Sequence, residues 1–314
     1  MPASSFLTSF YSRGDVGGNV RPEALAVRQY DFDRKLVESR SERELEQMTR
    51  IDHKTTIVTG AGNGIGRAIA LAFAGAGANV VVSDVLADDG ERTVREITDG
   101  GGEAFFVATD VSDAQQVEDM IAAAVGRFGG LDILANNAGI GGGKLRLHEI
   151  EPEDFDRVIS VNLRGTFLCS KYAIPHFLAQ RDGRIVNTAS TYGLIGAPNA
   201  AAYCASKGAI INLTRQLAVD YGPDGIRVNA VCPGYIDTHL GRRGPDLTKE
   251  EFEAATAVRE KAAGMQPLGR QGQPAEVGEV ALFLASDAAS FMTGSIVAVD
   301  GGCVTTFNYG EASN

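Results

Sequence analysis

The sequence lacks the features that mark several classes of protein. No stretch approaches the ~20 consecutive apolar residues that a membrane-spanning helix needs. The chain has only four cysteines, which lie far apart and form no C-x-x-C pair, so no disulfide framework or thiolate metal site is indicated. Its four histidines are equally scattered and show no metal-ligand spacing. We therefore expect no membrane association and no metal, with thiols buried as small hydrophobic groups in a reducing compartment.

Positive charge is also scarce. The 29 lysine and arginine residues face 40 aspartate and glutamate residues, which gives a net charge of −11 and a pI near 4.9. A nucleic-acid partner requires a basic face, so this composition argues against one. Apolar residues make up 44% of the chain and charged residues 22%, as is ordinary for a soluble globular protein. Together these properties predict a cytoplasmic protein.

The composition changes near residue 51. Residues 1–50 are polar, charged and poor in β-branched residues, whereas no Pro/Ser-rich linker divides the chain beyond them. The first twelve residues are rich in serine and lack acids, which would suit a cleaved targeting peptide, but their arginine content is low. We therefore interpret residues 1–50 as an N-terminal extension that packs on the surface or on a neighbouring subunit. Residues 51–305 then form one domain, and 306–314 form a C-terminal tail.

From residue 55 onward, short β-branched runs alternate with amphipathic helical stretches. The expected strands are continuously apolar, which is typical of a parallel sheet with helices on both faces. This pattern predicts an α/β protein with a three-layer, doubly wound Rossmann fold and a seven-stranded parallel sheet. The predicted strands are 55–59, 79–84, 104–110, 131–137, 184–190, 226–233 and 295–302.

A glycine-rich turn follows the first predicted strand. The segment TGAGNGIG at 59–66 lies between that strand and a helix of small residues. Glycines here let the backbone approach a pyrophosphate, and the helix N-terminus offers free N–H groups and the positive end of the helix dipole. The order of strand, glycine turn, helix, strand and acid predicts a dinucleotide site. A tight turn without a ligand is the alternative.

An acidic residue ends the second predicted strand. Asp84 lies eighteen residues after Gly66, where a carboxylate can accept hydrogen bonds from both ribose hydroxyls of an NAD adenosine. The same carboxylate would repel the 2′-phosphate of NADP. An NADP enzyme is expected to place a basic residue beside this acid or in the glycine turn, but the chain has Ser83 and Asn63 there. We therefore predict NAD as the cofactor.

A tyrosine and a lysine share one face of a later helix. The segment AAYCASKGA places Tyr203 and Lys207 four residues apart, one helical turn from each other. Alone, such a pair is usually a half-buried tyrosine beside a solvated lysine. Here Ser190 precedes the tyrosine by thirteen residues, and NNAG at 136–139 follows the fourth predicted strand. Together with the glycine turn, these motifs stand in one order on one predicted fold.

This combination resembles the short-chain dehydrogenase/reductase family in its single-domain form. The resemblance covers about residues 51–303. Its joint spacing is far more specific than any one motif. The resemblance to the family extends to three further segments, VNLRGTF at 161–167, VNAVCPGYIDT at 228–238 and GSIVAVDGG at 294–302.

The resemblance implies a catalytic group of four residues. Tyr203 would be the acid/base that takes the alcohol proton while hydride leaves carbon for the cofactor. A free tyrosine has a pKa of about 10, so Lys207 and the nicotinamide ring would have to favour the phenolate. Lys207 would also bind the nicotinamide ribose, and Ser190 would hydrogen-bond the substrate oxygen. Asn162 matches the fourth catalytic position of the family, where the side chain helps to hold a proton-relay water.

The resemblance also implies the cofactor contacts. The glycine turn would hold the pyrophosphate, the acid after the second strand would hold the adenosine ribose, and PGYIDT would cover the nicotinamide side. The expected cofactor-binding residues are Gly60, Asn63, Gly64, Ile65, Gly66, Asp84, Asp110, Val111, Asn137, Gly139, Tyr203, Lys207, Pro233, Gly234, Ile236 and Thr238.

The substrate is less well defined by the sequence. The polar segment 237–268 is expected to be a mobile lid that is helical in part. A partly apolar pocket is suggested by Tyr192, Leu194, Ile195 and Tyr235, so we expect a neutral secondary alcohol or ketone. Arg242 and Arg243 would suit a carboxylate or phosphate, but adjacent arginines in a lid are more often solvated.

Three functional hypotheses follow. The first is an NAD-dependent secondary-alcohol dehydrogenase. The second is another enzyme on the same fold, such as a sugar epimerase or dehydratase, which the T-G-x-x-x-G-x-G spacing and the short C-terminal region disfavour. The third is an NAD-binding sensor or scaffold without catalysis, which would have no need of an activated phenol. The resemblance further implies a homo-oligomer, with a tetramer favoured.

Overall fold

The computed structural model describes residues 48–238, 248–264 and 266–305. Within these ranges, short strands alternate with helices from residue 55 onward. The strands are β1 (Thr55–Thr59), β2 (Asn79–Asp84), β3 (Glu103–Ala108), β4 (Ile133–Asn136), β5 (Gly183–Thr188), β6 (Ile226–Pro233) and β7 (Ile296–Val299). The helices are α1 (Gly64–Gly75), α2 (Ala87–Asp99), α3 (Ala114–Phe128), α4 (Pro152–Ile159), α5 (Gly165–Gln180), α6 (Ala201–Tyr221), α7 (Lys249–Gly264) and α8 (Pro274–Ala285).

The strands form one parallel sheet in the order β3-β2-β1-β4-β5-β6-β7. From β1 the chain builds outward to β2 and β3, then returns to β4 on the other side of β1. Such a reversal opens a crevice beyond the carboxyl ends of the strands, where ligands bind in doubly wound sheets. The predicted Rossmann fold with seven parallel strands is confirmed.

The core lies in two layers, one on each face of the sheet. Successive side chains of a strand point to opposite faces, so Val58 and Ile57 belong to different layers. Val58 packs in the layer that contains Phe73 of α1, and Ile57 packs in the layer that contains Phe177 of α5. All four side chains are fully buried. This burial on both faces explains why the strands are continuously apolar.

Several predicted strand bounds were wrong, although the strands themselves exist. β3 ends at Ala108 rather than at residue 110, because the chain turns into the crevice after that point. β7 ends at Val299 because Gly301 and Gly302, with φ of +59° and +88°, leave the extended conformation. The predicted ranges 104–110, 131–137, 184–190 and 295–302 correspond to observed ranges 103–108, 133–136, 183–188 and 296–299.

Parts of the predicted domain division lie outside the described residues. These parts are residues 1–47 of the extension, residues 239–247 and 265 of the lid, and the tail 306–314. The lid segment 237–268 contains α7, so its expected helical part is present. Arg242 and Arg243 also lie outside the described residues. The division into extension, domain, lid and tail stays a prediction.

Candidate active site

A cavity of about 840 Å³ lies beyond the carboxyl ends of the first six strands. It brings together residues from the loops that follow those strands, which are far apart in the chain. The predicted site residues that line it are Gly60, Asn63, Gly64, Ile65, Asp84, Asp110, Val111, Asn137, Gly139, Ser190, Tyr203, Lys207, Pro233, Gly234, Ile236 and Thr238. Gly66 and Asn162 do not line it, and both lie behind its wall.

The glycine turn leads from β1 into the N-terminus of α1. Gly60 and Gly64 have φ of +64° and +55°, a backbone conformation that residues other than glycine rarely adopt. Gly66 does not line the cavity, and a side chain there would overlap the Gly60 carbonyl oxygen, so this glycine lets α1 approach the turn. Its predicted contact with a cofactor stays a prediction. The side chain of Asn63 makes no capping hydrogen bond to α1, so it leaves the first N–H groups of the helix available on the cavity side.

Asp84 is held by the backbone on two sides. Its Oδ2 accepts a hydrogen bond from the Gly62 N–H at 2.8 Å, and its Oδ1 accepts one from the Leu86 N–H at 3.0 Å. Each carboxylate oxygen keeps a further lone pair. The residue is only 7% exposed and lines the cavity, so these remaining lone pairs are available to a bound molecule.

Asn137 joins the end of β4 to the end of β1. Its side-chain amide donates to the carbonyl oxygens of Thr59 and Gly60, at 3.1 and 3.2 Å, while its backbone N–H donates to the Thr59 hydroxyl. Asp110, after β3, likewise accepts hydrogen bonds from both the backbone and the hydroxyl of Ser112. These hydrogen bonds link neighbouring backbone segments of the cavity wall.

Lys207 is buried beside Tyr203 at the inner end of the cavity. Its Nζ donates to the Thr188 carbonyl oxygen at 2.8 Å and lies 5.7 Å from the centroid of the Tyr203 ring. Burial disfavours the charged form and lowers the pKa of Lys207 to about 8. Ser190 begins the short helical turn Thr191–Gly193, and its Oγ accepts the Tyr192 N–H at 3.1 Å.

Asn162 lies in a π-helical turn, Ser160–Arg164, between α4 and α5. Such turns insert one extra residue into a helix and often occur at functional sites. The Asn162 Oδ1 accepts the Ile140 N–H at 2.8 Å, and its Nδ2 donates to the Ile140 carbonyl oxygen at 3.0 Å. The side chain is fully buried and fixes the loop that follows Gly139. The structure therefore places it next to the cavity loop rather than in the cavity.

Several residues at the site carried no signal that the sequence reasoning used. The Thr188 carbonyl holds Lys207, and the backbone of Ile140 holds Asn162, but backbone groups have no residue signature. Ser206 lies between Tyr203 and Lys207 on α6, and a single serine within a helix has no signature either. Its adjacency to Lys207 was the one available clue.

Neither metals nor membranes are indicated by the described residues. In ranges 48–238, 248–264 and 266–305, no three His, Cys, Asp or Glu side chains are grouped so that they could hold a metal ion. Among the helices in those ranges, none is long and apolar enough to cross a membrane.

The fold and the site together define a class of protein. A doubly wound sheet that carries a glycine turn, an acid after β2 and a Ser–Tyr–Lys group at one edge is typical of Rossmann-fold oxidoreductases that use a nicotinamide nucleotide. The family model described as enoyl-(acyl carrier protein) reductase matches residues 60–304. Cis-4-hydroxycyclohexanecarboxylate dehydrogenase of Sinomonas cyclohexanicum is 45% identical over 249 residues, which are 79% of this chain and 96% of that protein. The chain belongs to the short-chain dehydrogenase/reductase family and is an oxidoreductase.

Solved structures with similar folds differ in their cofactors. A 7α-hydroxysteroid dehydrogenase in complex with NADH and 7-oxo glycochenodeoxycholic acid has a TM-score of 0.74 and 37% identity, covering 82% of this chain and 96% of that one. A gluconate 5-dehydrogenase from Burkholderia cenocepacia J2315 in complex with NADP and tartrate has a TM-score of 0.75 and 33% identity, covering 84% and 100%. The fold therefore accepts either nucleotide, and the choice depends on the residues of each chain.

Proposed function

We propose that the protein is an NAD-dependent dehydrogenase that transfers hydride between the nicotinamide and a secondary alcohol or ketone. The observation that carries this proposal is that Ser190, Tyr203 and Lys207 line the same cavity as the glycine turn. The turn suits a pyrophosphate, and the phenol beside an ammonium suits proton transfer. A protein that only bound the nucleotide would need the turn but not the phenol.

The residues present fit a nicotinamide nucleotide. A side chain at Gly139 would lie 3.5 Å from the Lys207 Nζ and would cover it, so the absence of one leaves the ammonium open to the cavity. Thr188, whose carbonyl oxygen accepts from Lys207, also lines the cavity. The Lys207 ammonium donates one of its hydrogens to that carbonyl, so a bound ribose can accept from the others. When bound, the nucleotide supplies the acceptor or donor of the hydride.

The protein's own side chains would handle the proton. Tyr203 would take the proton of the alcohol, and the adjacent Lys207 ammonium would favour the phenolate form. The Ser190 Oγ already accepts the Tyr192 N–H, and its own hydrogen would donate to a substrate oxygen. Asn162 would support this group from behind the cavity wall, through the loop at Ile140.

The surroundings of Asp84 support NAD over NADP. The carboxylate lines the cavity where the adenosine ribose is expected, and a 2′-phosphate there would meet a like charge. The nearby Arg92 donates to Asp89 at 2.7 Å, so its charge is already compensated by another acid. A site adapted to the 2′-phosphate would instead present a basic group.

Two tyrosines next to the cavity support a neutral substrate. Neither Tyr192 nor Tyr235 lines the cavity, but Tyr192 contacts Tyr203, which does. The hydroxyl oxygens of Tyr192 and Tyr235 are 2.9 Å apart, and the Tyr192 ring meets the Tyr203 ring edge-on with centroids 6.4 Å apart. Burial, with the hydrogen bond to Tyr235, raises the pKa of Tyr192, so this phenol stays neutral at physiological pH. Neutral hydroxyls and aromatic edges suit an alcohol or ketone better than a charged group. The Sinomonas relative is named for cis-4-hydroxycyclohexanecarboxylate, whose ring hydroxyl is a cyclic secondary alcohol and whose carboxylate is charged, so that relative supports the alcohol and not the neutrality of the substrate.

The proposal is tested by mixing the purified protein with NAD⁺ and a panel of cyclic and acyclic secondary alcohols. NADH absorbance should rise with at least one alcohol. Tyr203→Phe should lower kcat by about a thousand-fold or more, because general acid/base catalysis contributes roughly 10²–10⁴ and the phenyl ring cannot accept the proton. NADH binding, followed by fluorescence, should be retained. Tyr221→Phe, at the other end of α6 and outside the cavity, is the matched control and should keep full activity.

Two results would contradict this assignment. Conversion of a substrate without net NADH release would favour the epimerase or dehydratase alternative. Tight NADH binding without turnover of any alcohol or ketone, together with no effect of Tyr203→Phe on any conversion, would favour the sensor or scaffold.

We also propose a homo-oligomer, with a tetramer favoured, in the cytoplasm. Exposed apolar side chains on α5, on α6 and before β7, namely Phe167, Val219 and Phe291, support contacts with other subunits. The acidic net charge and the scattered cysteines support the location. Segment 237–268, which contains α7, is proposed to act as the lid over the substrate.

A further inference from the structure

A fully buried serine separates the proposed acid/base from its lysine. Ser206 lies on α6 between Tyr203 and Lys207 and has no exposed surface. It does not line the cavity, so it does not contact a ligand there. A hydroxyl with no access to water must find its partners in the protein. Those partners indicate what the residue does.

The Ser206 hydroxyl forms a bridge between two elements. Its Oγ donates to the Tyr203 carbonyl oxygen at 2.8 Å and accepts from the Asn162 Nδ2 at 3.0 Å. The Tyr203 carbonyl belongs to the helical turn that ends at Lys207, so this turn carries both the phenol and the ammonium. Asn162 belongs to the π-helical turn between α4 and α5. One hydroxyl thus ties the two elements together.

The bridge continues to the cavity wall. The amide of Asn162 is held on its other side by the N–H and carbonyl of Ile140. A Cβ at the preceding Gly139 would lie 3.2 Å from the Asn162 Oδ1 and 3.5 Å from the Lys207 Nζ. The loop, the asparagine and the lysine therefore meet within a few bond lengths. A shift of α6 relative to this loop would change the surroundings of the Lys207 ammonium.

We propose that Ser206 is a positioning residue, which holds the Tyr203–Lys207 turn in register with Asn162 and the loop at Ile140. This inference rests on the proposed function, because it assigns Ser206 to the acid/base reaction of Tyr203. Ser206 acts only through its neighbours. Its removal leaves an Asn162 N–H without its partner in a site that water does not reach, and α6 loses its link to the π-helical turn.

The chain offers a matched control. Ser170 on α5 is also buried, accepts from the Nδ2 of Asn136 at 3.1 Å and donates to the Thr166 carbonyl oxygen at 2.8 Å. Asn136 keeps Asn187 as a second acceptor, just as Asn162 keeps the Ile140 carbonyl. Ser170→Ala therefore removes the same pattern of hydrogen bonds from a helix that carries neither the phenol nor the ammonium. Any general cost of a lost buried hydroxyl should appear equally in both variants.

The test measures the ionisation of Tyr203 as well as turnover. Phenolate absorbance is titrated in the NADH complex, and the Tyr203→Phe curve is subtracted to isolate Tyr203. In Ser206→Ala the pH at the midpoint of Tyr203 ionisation should rise by about half a pH unit or more, because the phenolate loses part of its stabilisation by Lys207. The kcat should fall about ten-fold, with NADH affinity within about two-fold of wild type. Ser206→Thr, which restores a hydroxyl, should recover most of the loss, and Ser170→Ala should leave the midpoint unchanged.

The outcomes separate this inference from the function it rests on. An unchanged Tyr203 midpoint in Ser206→Ala, or the same shift in Ser170→Ala, overturns the positioning role whether or not a substrate is known. Absence of turnover in the wild type, with a midpoint that still shifts only in Ser206→Ala, overturns the proposed dehydrogenase function and leaves the positioning role standing.

Discussion

Lys207 carries a charge in a place that disfavours charge. Its side chain is 4% exposed, and burial lowers its pKa to about 8, so it remains mostly protonated at pH 7. The Thr188 carbonyl compensates one of its N–H groups at 2.8 Å. A solvated lysine would extend its ammonium into water, but this one cannot. The position of its charge beside Tyr203 is therefore a fixed property of the fold.

At the scale of single residues, we also expect Asp84 to determine the choice between NAD and NADP. Asp84→Asn keeps the shape of the side chain and one acceptor oxygen but removes the negative charge. We expect the ratio of kcat/KM for NAD to that for NADP to fall about ten-fold or more, since ~1.4 kcal/mol of like-charge repulsion is already a factor of ten. Initial rates with each nucleotide, at one fixed alcohol concentration, measure this ratio.

The control for this change is Asp88→Asn. Asp88 is exposed in the first turn of α2, outside the cavity, so its removal changes the net charge equally. It should leave the nucleotide ratio unchanged. A wild-type protein that used NADP better than NAD would contradict the assignment outright.

At the scale of secondary-structure elements, Gly193 allows the Ser190 turn to touch α6. A Cβ at residue 193 would lie 2.7 Å from the carbonyl carbon and oxygen of Lys207, so the turn and the helix would have to separate. Gly193→Ala should lower kcat about ten- to a hundred-fold, because a displacement of a reacting group by up to about an ångström lowers the rate by such a factor. NADH affinity should change far less, since the glycine turn is remote from this contact. Steady-state kinetics and NADH fluorescence measure the two quantities.

Gly196→Ala tests whether that effect is specific. Residue 196 lies in the same loop, but a Cβ there would meet nothing within 4 Å. This variant should behave like the wild type. Equal losses in both variants would mean that the loop tolerates no alanine at all, and that the contact with α6 is not the cause.

At the scale of the whole molecule, the N-terminal extension should act on assembly rather than on folding. The Sinomonas relative is matched over 96% of its length by only 79% of this chain, so a comparable protein folds without such a segment. We expect a protein that begins at residue 48 to fold, because Ile51 and its hydrogen bond to the Ala76 carbonyl are kept. Its assembly should be smaller or weaker than that of the full chain if residues 1–50 wrap a neighbouring subunit.

Light scattering during size-exclusion chromatography decides this point. The full chain and the shortened protein are compared over a range of concentrations, with circular dichroism as the check on folding. An unchanged assembly state with unchanged activity would contradict the proposed wrapping.

Local patterns in the chain were enough to establish the fold and most of the cavity. β-Branched runs predicted β1, β2 and β6 with their observed bounds, because buried parallel strands must be apolar on both faces. The glycine turn and the Ser–Tyr–Lys spacing could be recognised for a similar reason, because each depends on a few residues close in the chain, and their roles stay predictions. The cavity lining agrees with sixteen of the predicted residues because the loops after parallel strands all emerge at one edge.

Only the packed structure decided the contacts that cross elements. The hydrogen bond between Asn162 and Ser206 joins residues 44 positions apart, and that between Tyr192 and Tyr235 joins residues 43 apart. No periodicity encodes such pairs, because they depend on how helices and loops pack against the sheet. The same holds for Gly66, where the close approach of α1 to the carbonyl of Gly60 leaves no room for a side chain. Residue types and spacing were enough to predict the chemistry, whereas the side chains that support the predicted group are distant in the chain and meet only in the folded protein.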